Sequence, residues 1–318
     1  MSDILTHDRG LGSAYERYHF YQLVQRWADE FGVESFLEGP IDGMAGVPGV
    51  HGVGLARSGV AVLSLVESEE QAAVTRAVYE RVSAKTYEVR TLSGAPSAPA
   101  LAALADVAPH DMVIVYHAFQ SPNWRDYLRV VGRLAKKVLI VATCNPDNWG
   151  VGLVRVTGAL RGIRGLGPPP AWRTAVLAPE LWEIGRVRDH VYFDAPWWPD
   201  LPVSPGQSLL DRAKRLWTTR AKDVEFAGSG KNGVLAKNFV YGPERWPYFG
   251  GPGWSDELLP ALDRHVSFEG KTGRVGALTA HLHAFVIDTR PRTPQARRRL
   301  EQVSTTADVA HGSGEHRP

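Results

Sequence analysis

Apolar and polar positions alternate in blocks along the first half of the chain. Residues 14–31, AYERYHFYQLVQRWADEF, place Tyr15, Tyr18, Tyr21, Leu23, Val24 and Trp27 near helical spacing, and Gly32 ends the run. This predicts one amphipathic helix. From Glu34 to Thr143, short apolar runs alternate with longer amphipathic ones. The short runs predict strands at Glu34–Leu37, Val60–Val66, Tyr87–Leu92, Asp111–Ala118 and Val138–Thr143. Helices are predicted between them at Val50–Ser58, Glu69–Ala84, Leu101–Ala105 and Trp124–Leu134. Apolar strands alternating with helices predict an α/β, Rossmann-like, doubly wound sheet, mainly parallel and covered on both faces, with right-handed crossovers.

The pattern loosens after Cys144. GLGPPP at 165–170 breaks the chain, and Leu181–Phe193 reads as helix then strand. A long irregular section follows, with the Pro-rich pieces APWWPDLPVSP and YGPERWPYFGGPGW. Ala280–Asp288 reads as a last strand, and residues 289–318 are polar and basic, with an end expected to be disordered. No internal repeat is visible. The expected division is an N-terminal helical cap at 1–32, one α/β domain at 33–290 with an aromatic-rich insert at about 195–275, and a polar tail at 291–318.

Composition narrows the function classes. A chain of 318 residues, 44% hydrophobic and 22% charged, reads as a soluble globular protein. A formal net charge of +2 gives no global argument for nucleic acid or an anionic membrane. Cys144 is the single cysteine, which rules out an intramolecular disulfide and a cysteine-rich zinc site. The first residues lack a signal-type apolar run, and no stretch of about 18 apolar residues occurs. A cytoplasmic protein with no membrane span is expected.

The stretch FLEGPIDGMAGVPGVHGVG at 36–54 carries the chemistry. An apolar run ends in Glu38, a turn dense in Gly and Pro opens a helix, and the next apolar run ends in Glu67. A strand, a glycine turn and a second strand closed by a carboxylate form a nucleoside-binding arrangement. Glycines let backbone approach a ligand closely, and a carboxylate accepts hydrogen bonds from ribose hydroxyls.

At this point the chain resembles the class I S-adenosylmethionine-dependent methyltransferases. LEGPIDGMAG resembles that family's first glycine motif, and Glu67 the acid ending its second strand. DMVIVYHAFQ and KKVLIVATCN resemble its fourth and fifth strands, and HLHAFVID its last. The resemblance implies a seven-stranded sheet with the last strand antiparallel, and S-adenosylmethionine as cofactor, with S-adenosylhomocysteine as product. It assigns cofactor contacts to Glu38, Gly39, Pro40, Asp42, Gly43, Gly46, Glu67, Ser68, Ser93 and His117. Two features depart from the family. The interval from Glu38 to Glu67 is 29 residues, longer than the family's, and the third-strand loop TLSGAPSAP lacks the acid that often contacts adenine.

Other candidates have bland readings beside the functional ones. His117, closing the fourth strand, reads as a general base, a substrate donor or a pocket-lining histidine. Asn145, Asp147, Asn148 and Trp149 follow the fifth strand, where ligands sit in open α/β sheets, but they are also good turn formers. His281 and His283 share a strand face, with His265 nearby in sequence, yet no acid or cysteine completes a metal-ligand spacing, so no metal is expected. Seven of the ten tryptophans fall between Trp172 and Trp254, with Trp197 and Trp198 adjacent. These read as a substrate pocket, a homodimer interface or plain core packing. Tyr15, Tyr18, Asn145, Trp149, Trp197 and Trp198 are the substrate-binding candidates.

The expected function is methyl transfer to a small molecule, because near-neutral charge without a basic-aromatic platform disfavours nucleic acid. One rival is a binding or scaffold protein with the same fold. The other is a nicotinamide-dependent oxidoreductase, although GMAGVPG at 43–49 does not match its tight Gly-x-Gly-x-x-Gly spacing.

Overall fold

A computed structural model describes residues 11–39, 49, 51–81, 84–92, 97–116, 123–160, 173–193 and 273–290. Within them the first half runs α1 (Leu11–Phe31), β1 (Ser35–Glu38), α2 (Val53–Ser58), β2 (Ala61–Val66), α3 (Glu69–Arg81), β3 (Tyr87–Thr91), α4 (Ala98–Ala105) and β4 (His110–Tyr116). The rest runs α5 (Trp124–Leu134), β5 (Ala135–Cys144), α6 (Trp149–Leu160), α7 (Thr174–Ile184), β6 (Arg186–Phe193), α8 (Gly273–Thr279) and β7 (Leu282–Asp288). The strands form one seven-stranded sheet in the order β3-β2-β1-β4-β5-β7-β6. β1 to β5 are parallel, and β7 runs antiparallel to both of its neighbours. The expected sheet and its reversed last strand are both present.

Helices cover both faces of the sheet. On one face α1, α2 and α3 bury Phe20, Val24, Val53 and Val78 against Phe36, Met112, Ile140 and Ala284. On the other, α5 and α7 bury Tyr127, Leu128, Val131 and Leu177 against Leu37, Val113, Leu139 and Ile287. Alternation along each strand divides the two sets, as in β4, where Met112 and Ile114 face one layer and Val113 and Val115 the other.

Several boundaries differ from the sequence pattern. α2 begins at Val53 rather than Val50, and ahead of it the His51 backbone N–H donates to the Glu38 carboxylate, 3.0 Å away. It ends as expected at Gly59, whose φ of 98° only glycine adopts readily. α3 is described over Glu69–Arg81, and Ala84 lies outside it. α4 starts at Ala98, not Leu101, since the Ser97 hydroxyl caps it and Pro99 sits in its first turn. β5 extends back to Ala135, past the two lysines that masked it, and Lys137 reaches Asp111 (3.0 Å) and the Gly32 carbonyl (2.6 Å). Two helices escape the sequence pattern. α6 carries helix-weakening Gly150 and Gly152, and α8 spans only seven residues. The aromatic-rich section at 194–272 lies outside the described residues, as do residues 1–10 and the tail at 291–318.

Candidate functional site

The strands β1 to β6 run one way and end at one edge of the sheet, and in open α/β sheets that edge holds ligands. The sequence places a polar or aromatic group at most of these ends. Glu38 closes β1, Glu67 follows β2, Tyr116 closes β4 and Asn145 follows β5.

The end of β1 is built around two buried clamps. Glu38 is 3% exposed and His51 1%. His51 Nδ1 lies 2.6 Å from Glu38 Oε1, while the His51 backbone N–H donates to Oε2. The ring and the carboxylate thus share one hydrogen bond, and the backbone adds a second. Phe20 of α1 stands edge-on to the His51 ring, with centroids 4.9 Å apart, and also packs against Tyr116 and Phe193. The second clamp holds the far end of the turn. The Gly49 carbonyl accepts from Ser64 Oγ (2.8 Å) and from the buried Tyr79 hydroxyl (2.9 Å). Residues 40–48, including Pro40, Asp42, Gly43 and Gly46, lie between the clamps and outside the described residues.

Gly39 follows β1 and donates its N–H to the Ile114 carbonyl at 2.9 Å. A β-carbon at Gly39 would stand 2.9 Å from both the Tyr127 hydroxyl and Val115 Cγ1, so the space is closed to a side chain. Tyr127 is fully buried, and its hydroxyl has no hydrogen-bond partner among the described residues. Burial pushes that hydroxyl's pKa up, so it keeps its proton.

At the end of β2, the Glu67 carboxylate is exposed, and its backbone N–H donates to Gln71 Oε1 at 2.8 Å. The Ser68 hydroxyl accepts the Gln71 N–H at 3.2 Å. Ser68 and Gln71 thus cap α3 and fix the tip from which Glu67 projects. Ser93 and His117 lie outside the described residues.

The β5–β7–β6 side differs. The buried Asn145 amide donates to the Ala277 and Ala280 carbonyls at 2.6 and 2.8 Å and accepts from the Asp147 N–H. Asn148 donates to the Thr279 and Ala280 carbonyls and accepts from Gly150 N–H. Both amides lace the β5 turn to the end of α8. Trp149 starts α6 and is exposed. Tyr15 and Tyr18 lie on α1, but their side chains, like residues 197 and 198, lie outside the described residues. His283, fully buried, pairs with His190, Nδ1 to Nε2, at 2.9 Å. His190 stacks on Phe285 with centroids 4.1 Å apart, and desolvation lowers its pKa to about 4 against weaker upward pulls from Asp189 and Asp147. His281 precedes β7, and His265 is outside the described residues. Among the described residues no cluster of three or more His, Cys, Asp or Glu is placed to hold a metal ion.

Two features lie at the opposite edge. Asp111 opens β4 there, accepting from the Glu34 N–H and Lys137, and fastens strand starts rather than lining a ligand. A groove of about 520 Å³ also opens there, lined by Tyr87, Glu88, Arg90 and His110 among others. Arg90 is paired with Glu88, and His110 Nδ1 bonds the Ala108 carbonyl, so these polar groups are already engaged.

Sequence reasoning missed His51 and Tyr127. The signals were present. A lone ionisable side chain inside GVHGVG needs a buried partner, and Tyr127 shares the apolar spacing of Trp124, Leu128, Val131 and Leu134.

No family model matches the chain, and no curated protein does. Among solved structures, the chain is similar to magnesium protoporphyrin IX methyltransferase from Synechocystis PCC 6803 with bound S-adenosylhomocysteine, at 15% identity over 57% of this chain and 78% of that one, TM-score 0.40. It is similar to the YcgJ protein from Bacillus subtilis at 11% identity over 86% of this chain and 99% of that one, TM-score 0.40. A third is a putative methyltransferase from Bacillus halodurans C-125, at 18% identity over 54% of this chain and 71% of that one, TM-score 0.39. Likeness this distant carries no argument about chemistry. No described helix is long and apolar enough to cross a membrane. Strand order 3-2-1-4-5-7-6 with β7 reversed gives the chain the fold of the class I S-adenosylmethionine-dependent methyltransferases.

Proposed function

We propose that the chain transfers a methyl group from S-adenosylmethionine to a small-molecule acceptor by in-line displacement at the sulfonium methyl. The observation that supports this best is the pair of strand tips at the ligand edge. The exposed Glu67 carboxylate stands at one, and Gly39 at the other, pinned beside an unpartnered buried hydroxyl. A ligand with a diol at one end and an amino-acid group at the other suits that pair.

In this reading Glu67 takes the ribose hydroxyls. Gly39 and the turn carrying Pro40, Asp42, Gly43 and Gly46 lie along the methionine portion, with Ser93 and His117 completing the pocket. Glu38 acts through His51, by fixing the turn. Ser68 acts through the cap that aims Glu67. The sulfonium supplies the leaving group, so these residues align and desolvate rather than activate. His117 serves as a base only where the acceptor must lose a proton. Tyr15, Tyr18 and Trp149, with Trp197 and Trp198, face the acceptor, and Asn145 shapes that side through its bonds to Ala277 and Ala280. Near-neutral charge favours a small acceptor over nucleic acid.

A thermal-shift screen of the full chain with S-adenosylmethionine, S-adenosylhomocysteine and NAD tests the reading. Stabilisation by the first two is expected, reaching about 2.7 kcal/mol at a hundred times the dissociation constant. Stabilisation by NAD alone favours an oxidoreductase, and no response to any of them favours a binding or scaffold protein.

A further inference from the structure

Tyr127 sits on the buried face of α5, fully covered, with a hydroxyl that no described residue bonds. The oxygen stands where a β-carbon on Gly39 would press on it, at the point where the chain leaves β1. That point lies on the ligand edge of the sheet. An unpartnered buried hydroxyl costs about 1–3 kcal/mol, and phenylalanine would fill nearly the same space without it. The sequence nevertheless places an oxygen there, with a glycine opposite that leaves it uncrowded.

We propose that the Tyr127 hydroxyl is a ligand-binding group that donates a hydrogen bond to the carboxylate at the amino-acid end of the cofactor. The inference rests on the cofactor reading above. A protonated phenol donates, and of the two charged groups at that end only the carboxylate accepts. Gly39 and Tyr127 act as a matched pair, since a side chain at position 39 would displace the hydroxyl from that line.

Isothermal titration of S-adenosylhomocysteine and of adenosine into the full chain, wild type and Tyr127→Phe, tests this, together with melting of both proteins without ligand. The variant is expected to bind S-adenosylhomocysteine about tenfold more weakly. Adenosine, which lacks the amino-acid end, should bind both proteins alike, and the ligand-free variant should melt at the same temperature or higher. Unchanged affinity for S-adenosylhomocysteine overturns the proposal. An equal loss for adenosine overturns the assignment to the amino-acid end. A lower ligand-free melting temperature overturns it as well, because the hydroxyl would then already hold a structural partner. A wild-type chain that binds no S-adenosylhomocysteine removes the cofactor reading and this proposal together, a result distinct from a loss confined to the variant.

Discussion

The two halves of the sheet end in similar residues and treat them differently. On the β2–β1–β4 side, Glu67 is exposed at its strand tip, and the Tyr127 hydroxyl beside Gly39 has no hydrogen-bond partner among the described residues. On the β5–β7–β6 side, the amides of Asn145 and Asn148 are held by α8 carbonyls, and His190 and His283 hold each other. Position at the ligand edge is shared, so position alone does not mark function. What sets the Tyr127 hydroxyl apart from the Asn145 and Asn148 amides is that the amides are engaged and the hydroxyl has no hydrogen-bond partner among the described residues. A buried amide with its donors engaged stabilises the fold, whereas an oxygen left over at the same edge is available to a ligand. Glu38 shows the same contrast within one half, since both of its carboxylate oxygens already meet His51.

The most severe way to probe this contrast is to break the clamp. His51→Ala strands a buried carboxyl, and a loss of about 3–5 kcal/mol is expected in urea unfolding. The double variant Glu38→Ala/His51→Ala should lose less than the sum of the two single variants, because the unpaired group is then gone. Additive losses would mean that the two side chains do not depend on each other.

Asn145→Ala comes next. It removes the three hydrogen bonds to Ala277, Ala280 and Asp147 and leaves the Ala277 carbonyl without that donor, for an expected loss of about 2–3 kcal/mol in the same assay. S-adenosylhomocysteine affinity should not change at a temperature where the variant is folded. A variant that keeps its stability but loses ligand would move Asn145 into the binding half.

Glu67→Ala should do the reverse. Titration should show affinity for S-adenosylhomocysteine falling roughly tenfold to a hundredfold, as charge-assisted bonds to a diol are lost. Stability without ligand should stay within about 0.5 kcal/mol, since the carboxylate is exposed. Unchanged affinity would leave the ribose without its proposed acceptor.

Much of this was legible in the residues. Block alternation gave the strands β1 to β5 and the last strand, because apolar runs buried on both faces need no finer cue. Boundaries drifted where polar side chains act on the backbone. His51, ahead of Val53, is tied to Glu38 at the end of β1, and Lys136 and Lys137 disguise the start of a strand whose backbone pairs regardless. The site was legible as types at strand ends but not as partners. Asn145 reads as a turn former or a ligand group, and only the approach of the α8 end, 132 to 135 residues later, decides that its amide donates to Ala277 and Ala280. The same holds for Tyr127, where an apolar helical spacing conceals a hydroxyl whose neighbour is a glycine 88 positions earlier.

The smallest expected effect lies in the structural half and concerns pH. His190 carries a folded pKa of about 4 against an ordinary 6.5, with burial as the main cause. Its surroundings are the bonded His283 ring, Phe285 and Tyr192, with Asp189 and Asp147 as the nearby acids and Arg26 paired to Asp189. Because the folded value is lower, the unfolded chain binds the proton more readily. The stability contributed by the neutral ring is therefore complete above about pH 6.5 and is lost as pH falls toward about 4. Unfolding free energy should rise across that window, by about 1 kcal/mol from this ring after allowance for its partial exposure. His190→Gln keeps a hydrogen-bonding group beside His283 but does not titrate, so its profile should be flatter by that amount while its stability at pH 7.5 stays near wild type. Urea unfolding of both proteins at half-unit steps from pH 4.5 to 7.5 makes the comparison. Parallel profiles would show that the pair gains nothing from staying neutral, and that the structural half of the edge tolerates charge as readily as the half proposed to bind ligand.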